Sequence, residues 1–413
     1  MSKVYLDNAA TTKVDDRVVR VMMPYFNQVY GNPSSIHSFG QEAKSAVDEA
    51  RETLAGFLNC APEEVIFTSG GSEADNLAIR GLVRELGRQN KESGKLHIIV
   101  SAIEHHAILH TVQDLEKSGL IEVSMIKPDS DGLINPKSVI AELKPNTVLV
   151  SIMYVNNETG AAQPIREIGE LIKAENTQRL AQKAHQVYFH TDAVQAAELF
   201  NLDVDWLLVD MLTLTAHKIH GPKGIGALYL KKGTPLHQMI SGGSQEYRLR
   251  AGTENVPGIV GFAEAVKLAI ELKGRDFSPI GLSKSPAVQE VLKLKERLIS
   301  SLIERIPNTA VNGSKVAASP FTANISFFNA EGEAIILNLD FLGIAVSSGS
   351  ACTSRSLDPS HVLTAMGIPP EKAHGSIRFS MSRYTNEEEI NKVIEVLPPI
   401  IEKLRAMSPF KTN

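Results

Sequence analysis

Between residues 64 and 230, short apolar runs alternate with longer stretches whose apolar positions recur every three or four residues. The runs Val65–Thr68, Leu96–Ser101, Ile121–Ile126, Val148–Met153, Val187–His190, Leu207–Leu214 and Gly226–Leu230 predict strands. Ser72–Leu86, with Leu77, Ala78, Leu82, Val83 and Leu86 on one face, and His105–Lys117 predict helices between them. Such alternation implies an α/β layer with a mainly parallel sheet, and in that architecture sites gather where the strands end at their carboxyl termini. From Val256 the pattern changes to two long helices, Val256–Lys273 and Ala287–Arg305, separated by GRDFSPIGLSKSPA, which reads as a junction between domains. The remainder predicts strand Asn324–Phe328, helix Glu331–Leu339, strand Ile344–Ser347, helix Pro359–Met366, strand Ser376–Ser380 and a helix from Glu387. In that last helix Ile390, Val393, Ile394, Leu397, Ile401 and Leu404 form an apolar face, and Pro398 and Pro399 are expected to kink or interrupt it. A smaller α+β domain results, and Met407–Asn413 is expected to be a loose tail.

Composition removes several classes of function. Lys and Arg number 42 against 47 Asp and Glu, a formal charge of −5, and the basic residues are scattered, so nucleic acid is not an expected partner. The two cysteines, Cys60 and Cys352, are too few and too far apart for a disulfide framework or a CxxC metal site, which points to a reducing, cytosol-like compartment and to no metal. The start, MSKVYLDNAATT, puts Asp7 where a signal peptide needs apolar residues, and the longest apolar runs, such as Thr147–Val155, fall short of the ~20 residues that span a bilayer. Neither secretion nor a membrane is expected.

Several residues sit where strands give way to loops. Lys218 follows an apolar run and precedes a Gly/Pro turn; a partly desolvated amine there can form a Schiff base, although the segment alone also suits a surface lysine, and Lys223 competes with it. Asp192 closes the run YFHTD, where a carboxylate can hold a protonated heterocyclic nitrogen or simply cap a helix. VIFT leads into Ser69-Gly70-Gly71-Ser72 and a helix, an anion-binding turn that lacks the Walker and GxGxxG patterns. His105 and His106 begin a helix, where adjacent side chains diverge too far for joint metal binding. Cys352 lies in SSGSACTSRS, a run whose composition suits a mobile loop and a reactive thiol, whereas Cys60 reads as structural. Arg378, in the apolar strand SIRFS, needs a carboxylate from the protein or from a substrate.

Taken together, YLDNAATT, YGNPSSIHSFG, VIFTSGGSEADNLAI, AIEHHAI, VSIMYVNNETG, HTDAVQA, AHKIHGPKGIGALYL, RAGTEN, SSGSACTS and SIRFSMSR resemble, in order, the class V aminotransferase family, and within it the cysteine desulfurases of iron–sulfur cluster assembly. The resemblance implies the fold type I of pyridoxal 5′-phosphate (PLP) transferases. It divides the chain into a large PLP-binding domain, 16–262, and a small domain, 1–15 and 263–413, that carries the cysteine loop. It implies that Lys218 bears the cofactor, that Asp192 pairs with the ring nitrogen, that His105 stacks on the ring and exchanges protons, and that Asn157 and Gln195 bond the phenolic oxygen. Gly71, Ser72, Thr215 and His217 would hold the phosphate, with Thr253 reaching in from a second subunit of a homodimer. Arg378, with Asn157, would bind the L-cysteine carboxylate, and Cys352 would take the sulfur as a persulfide. From there it would pass to an iron–sulfur scaffold protein or other acceptors, including a route to tRNA thiolation. Ser72 and Thr215-Ala216 replace the Thr and Ser-Gly common in such relatives, and the long stretch Lys173–Gln186 resembles selenocysteine lyases, so that activity stays open beside an aminotransferase or β-lyase without persulfide chemistry.

Overall fold

The computed structural model describes residues 3–89, 94–182, 184–349 and 359–407. Cys352 and the tail beyond Met407 lie outside the described residues. Among the described residues the strands are, in chain order, β1 (Val4–Tyr5), β2 (Val65–Thr68), β3 (Leu96–Ser101), β4 (Ile121–Ile126), β5 (Thr147–Ser151), β6 (Tyr188–Asp192), β7 (Met211–Thr215), β8 (Gly226–Leu230), β9 (Thr309–Asn312), β10 (Thr322–Phe327), β11 (Ile344–Ala345) and β12 (Ser376–Ser380). Seven form one sheet in the order β2-β8-β7-β6-β5-β3-β4. Because β8 is antiparallel to both of its neighbours, the other strands all run in one direction and their carboxyl ends share one rim.

Both faces of this sheet are covered, which is why its strands read as continuous apolar runs rather than alternating ones. Val65, Phe67, Ile99, Val150, Phe189 and Leu212 face one core, with the helices Ser38–Leu58 and Val256–Lys273. Ile66, Ile98, Val100, Leu149, Met211 and Leu228 face another, under the helices Gly71–Gln89 and His106–Lys117. This is the mainly parallel sheet with flanking helices that the pattern predicts.

A third core joins the three-stranded antiparallel sheet β12-β10-β9 to the helices Pro286–Arg305, Gly332–Phe341 and Glu387–Met407. Val4 and Leu6 belong to it, brought there by the parallel pairing of β1 with β11. The expected division at residues 262 and 263 falls inside the helix Val256–Lys273, whose buried apolar side chains from Val256 to Ala269 belong to the first core. The passage between cores occurs farther on, in Pro286–Arg305, where Val288 packs with the first and Val291 with the third.

Two local expectations are corrected. Leu207–Leu214 is not one strand: Val204–Leu207 is a short helix, closed by Leu208 at a φ of 61°, and the strand starts at Met211. Every apolar position in that run is buried or nearly so, and such a run carries no periodicity to separate turn from strand. Pro398 and Pro399 do not interrupt the final helix, which runs unbroken from Glu387 to Met407. An interior proline costs about 3 kcal/mol, and the buried row Ile390, Val393, Ile394, Leu397 and Ile401 offsets that cost. The stretch 173–186 mostly lengthens the helix Ile165–Ala181, and Asn176 ties it to Val187 through two 2.8 Å bonds.

Candidate active site

The rim shared by the carboxyl ends of the strands opens on a cavity of about 350 Å³. Gly71 and Ser72 reach it from the turn after β2, His105 from the end of β3, Asn157 from beyond β5, Asp192 from the end of β6, Gln195 just after it, and Thr215, His217 and Lys218 from the end of β7. Arg378, on β12 of the other sheet, closes the opposite side together with Gly349 and His361. Thus residues scattered from position 71 to 378 meet in one space.

The Lys218 Nζ donates to the carbonyls of Ala9 and, at 2.8 Å, Ala10, so the N-terminal segment holds the amine at the cavity wall. Gln195 donates to the same Ala9 carbonyl at 3.0 Å. Lys223, its competitor, is exposed and does not line the cavity. Asp192 is 6% exposed and accepts from the Val194 amide at 2.9 Å. Burial pushes its carboxyl up, while that amide and the charge of Lys218 pull it down. His105 caps its helix through the Ala107 amide at 3.1 Å, and burial, followed by the charge of Lys218, lowers its ring to about 4. His217 lies 3.1 Å from the Thr11 hydroxyl and burial likewise lowers it to about 4. Both rings are therefore neutral near pH 7.

Arg378 is 2% exposed. Its Nη1 donates to the Asn157 carbonyl and its Nη2 to Asp7, each at 2.9 Å, while its Nε is buried without a partner. A carboxylate for the guanidinium is thus supplied by Asp7, and the Nε N–H is among the donors left for another acceptor.

Sequence reasoning missed several groups here. Asp75 is 1% exposed, with Oδ1 unpartnered and 3.8 Å from His190 Nε2. Burial and then the neighbouring Asp192 raise its carboxyl well above the usual range. A carboxylate on the apolar face of Ala74, Leu77 and Ala78 was the available signal. Glu104 is fully buried, accepts from the Ser101 hydroxyl and from the Met153 amide at 2.8 Å, and is pushed up to about 8 by burial. Glu158, from the loop beyond β5, also lines the cavity. Thr253 is exposed and outside the cavity; its neighbours Gly252 and Glu254 line a separate cleft. Burial pushes the Cys60 thiol up to about 12, which makes it a poor nucleophile.

These residues fit PLP. The start of the helix Gly71–Gln89 faces the cavity with unpaired backbone donors, and a Cβ added at Gly71 would come within 3.0 Å of Val194, so the turn is tight where a phosphate would rest. Asp192 supplies a buried negative charge for a ring nitrogen, and Lys218 an amine for an aldehyde. Among the described residues no group of three or more His, Cys, Asp or Glu could hold a metal ion.

A family model, "Aminotransferase class-V", matches residues 4–393. The chain is 44% identical over 409 residues to the "Cysteine desulfurase IscS" of Dictyoglomus turgidum, covering 99% of this chain and 97% of that one. Among solved structures, a "NIFS-LIKE PROTEIN" superposes with a TM-score of 0.85 at 34% identity, covering 98% of this chain and 100% of that one. Another, "SspA in complex with cysteine", superposes with a TM-score of 0.76 at 34% identity over 93% of this chain and 100% of its own.

Proposed function

The chain belongs to the class V aminotransferase family, and on that premise we propose that it is a PLP-dependent cysteine desulfurase, converting L-cysteine to L-alanine and passing the sulfur to a cysteine of its own. The observation that carries this reading is the single cavity in which Lys218, Asp192 and His105 face Arg378. PLP, when bound, supplies an electron sink next to the substrate Cα.

The chain's own residues do the rest. Gly71, Ser72, Thr215 and His217 would hold the phosphate, Asn157 and Gln195 the phenolic oxygen, and Asp192 the proton of the ring nitrogen. Lys218 would anchor the cofactor until substrate arrives, and its freed amine then moves the Cα proton. Arg378 orients the substrate carboxylate, which fixes the direction of the bond to be broken. His105, neutral near pH 7, would lie against the cofactor ring and exchange protons with the substrate. Cys352 acts as a thiolate on the substrate sulfur: an S–S bond forms, the Cβ–S bond breaks, and its electron pair stays with the carbon skeleton, which takes up a proton. The net change is L-cysteine plus the Cys352 thiol giving L-alanine plus the Cys352 persulfide.

The exposure of Thr253, away from its own chain's cavity, supports a homodimer in which it completes the partner's phosphate site. From Cys352 the sulfur would pass on to an iron–sulfur scaffold protein or other acceptors; the name of the Dictyoglomus turgidum relative, a cysteine desulfurase, supports the release of sulfur from cysteine. The low number of cysteines in the sequence, two, supports a cytoplasmic setting. Among the described residues no helix is long and apolar enough to cross a membrane.

Incubating the PLP-loaded protein with L-cysteine is expected to yield alanine, with the persulfide located on Cys352 by mass spectrometry. Sulfur on Cys60, or no alanine, overturns the reading. A Cys352→Ala variant that loses cysteine turnover but keeps selenocysteine turnover would assign a selenocysteine lyase instead.

A further inference from the structure

Glu158 touches both ends of the segment that carries Cys352. On the far side of the segment, the Ser360 hydroxyl donates to Glu158 Oε2 at 2.5 Å. The same hydroxyl caps the helix His361–Ala365 through the Leu363 amide at 3.2 Å, and His361 Nε2 lies 3.0 Å from the Glu104 carbonyl. On the near side, Gly349 packs so closely that an added Cβ would overlap that same Glu158 Oε2. Just before it, Ser347 and Arg378 exchange backbone hydrogen bonds of 3.3 and 2.7 Å.

The backbone that carries this carboxyl is tied down on both sides. Asn156 Oδ1 accepts from the amides of Glu158 at 3.0 Å and Thr159 at 2.9 Å, and Asn156 Nδ2 donates to the Ile103 carbonyl at 3.0 Å. The Glu158 carbonyl accepts from Asn324 of β10 at 3.2 Å. Glu158 is 2% exposed yet lines the cavity beside Asn157 and Arg378. A buried carboxyl is costly to keep without a role, and here the Ser360 hydroxyl and the close approach of Gly349 set it against both flanks of one segment.

We propose that Glu158 is a positioning residue for sulfur transfer, a fixed post that ties Gly349 and Ser360 to the substrate side of the cavity and so sets where the chain carrying Cys352 leaves and returns. This rests on the reading of Cys352 as the sulfur acceptor. It assigns Glu158 no contact with the cofactor, so cofactor loading and substrate binding should not depend on it, whereas the step that needs Cys352 should.

The test compares wild-type holoenzyme with Glu158→Ala, Glu158→Gln and Ser360→Ala. Stopped-flow absorbance after mixing with L-cysteine reads binding and the early proton steps; rapid quench with alkylation and mass spectrometry reads sulfur on Cys352. Glu158→Ala is expected to keep the wild-type absorbance phase and KM while persulfide formation and kcat fall about 10-fold or more. Gln keeps the size and an acceptor oxygen for Ser360 and should restore most of the rate, and Ser360→Ala should show a smaller fall of the same kind. Gly349→Ala should slow sulfur transfer in the wild-type background and add nothing to Glu158→Ala, because the smaller side chain removes the clash. Wild-type persulfide rates in Glu158→Ala, or a parallel loss of the early absorbance phase and persulfide in all variants, overturn the proposal. A wild-type enzyme with no sulfur on Cys352 overturns instead the functional reading beneath it.

Discussion

The wall that carries Gly71, His105, Asp192 and Lys218 and the wall that carries Arg378 are built by different means. On the first, each group follows directly from a strand buried on both faces, and the common direction of those strands delivers every loop to the same rim. On the second, Arg378 stands on β12 of the three-stranded sheet and is held by contacts remote in sequence: Asp7, the Asn157 carbonyl and the backbone of Ser347. Position on the cofactor wall is a by-product of the sheet; position on the substrate wall depends on a few specific bonds between the two sheets. Cofactor chemistry should therefore tolerate changes on the substrate wall, and the converse should fail.

The largest effect is expected from Lys218→Ala. Alanine production should drop by at least ~10³-fold with loss of the borohydride-trappable cofactor, while urea unfolding stays near wild type. Retained turnover would break the comparison at its first wall. Next, Arg378→Lys keeps the charge but loses the planar fork, so KM for L-cysteine should rise about 10-fold or more, with the cofactor spectrum unchanged. A lost spectrum would mean that the two walls are not separable.

A subtler effect concerns the support behind the cofactor wall. The folded chain holds the proton of Glu104 up to about pH 8, whereas the unfolded chain releases it near about pH 4.3. The native state then binds more protons, so this contribution to stability is complete below the unfolded value and is lost as pH rises through the folded one. Glu104→Gln removes that loss. Unfolding free energies from urea melts of wild type and variant, compared at pH 5, 7 and 9, should shift in favour of the variant as pH rises, by on the order of a few kcal/mol. The smallest effect belongs to Cys60→Ser: its thiol is held near 12 and sits against the first core, so alanine and persulfide yields should match wild type, with at most a modest loss of stability.

Most of the cofactor wall is legible in the amino-acid sequence. Apolar runs ending in Asp192, in Thr215 ahead of Lys218, and in the Gly-Gly-Ser turn each mark a strand end, and one shared direction suffices to bring them together. The substrate wall is less legible. Arg378 stands out as a charge in an apolar strand, but its partner Asp7 lies 371 positions away and belongs to a segment with no periodic signal. Asp75 is hidden as one polar residue on a helix face, and Glu158 in a loop whose contacts are all long-range or side-chain-specific.

By itself the sequence determined which segments become strands and helices, because burial on one or both faces leaves a periodic trace in local composition. It also determined the reactive residue types at the strand ends. Only the tertiary structure decided that the final helix passes through Pro398 and Pro399, that Asp7 pairs with Arg378, and that Glu158 lies against both Gly349 and Ser360. These outcomes turn on which buried polar group finds which partner across distances of hundreds of residues. Such a choice is made by packing in three dimensions and leaves no period in the chain.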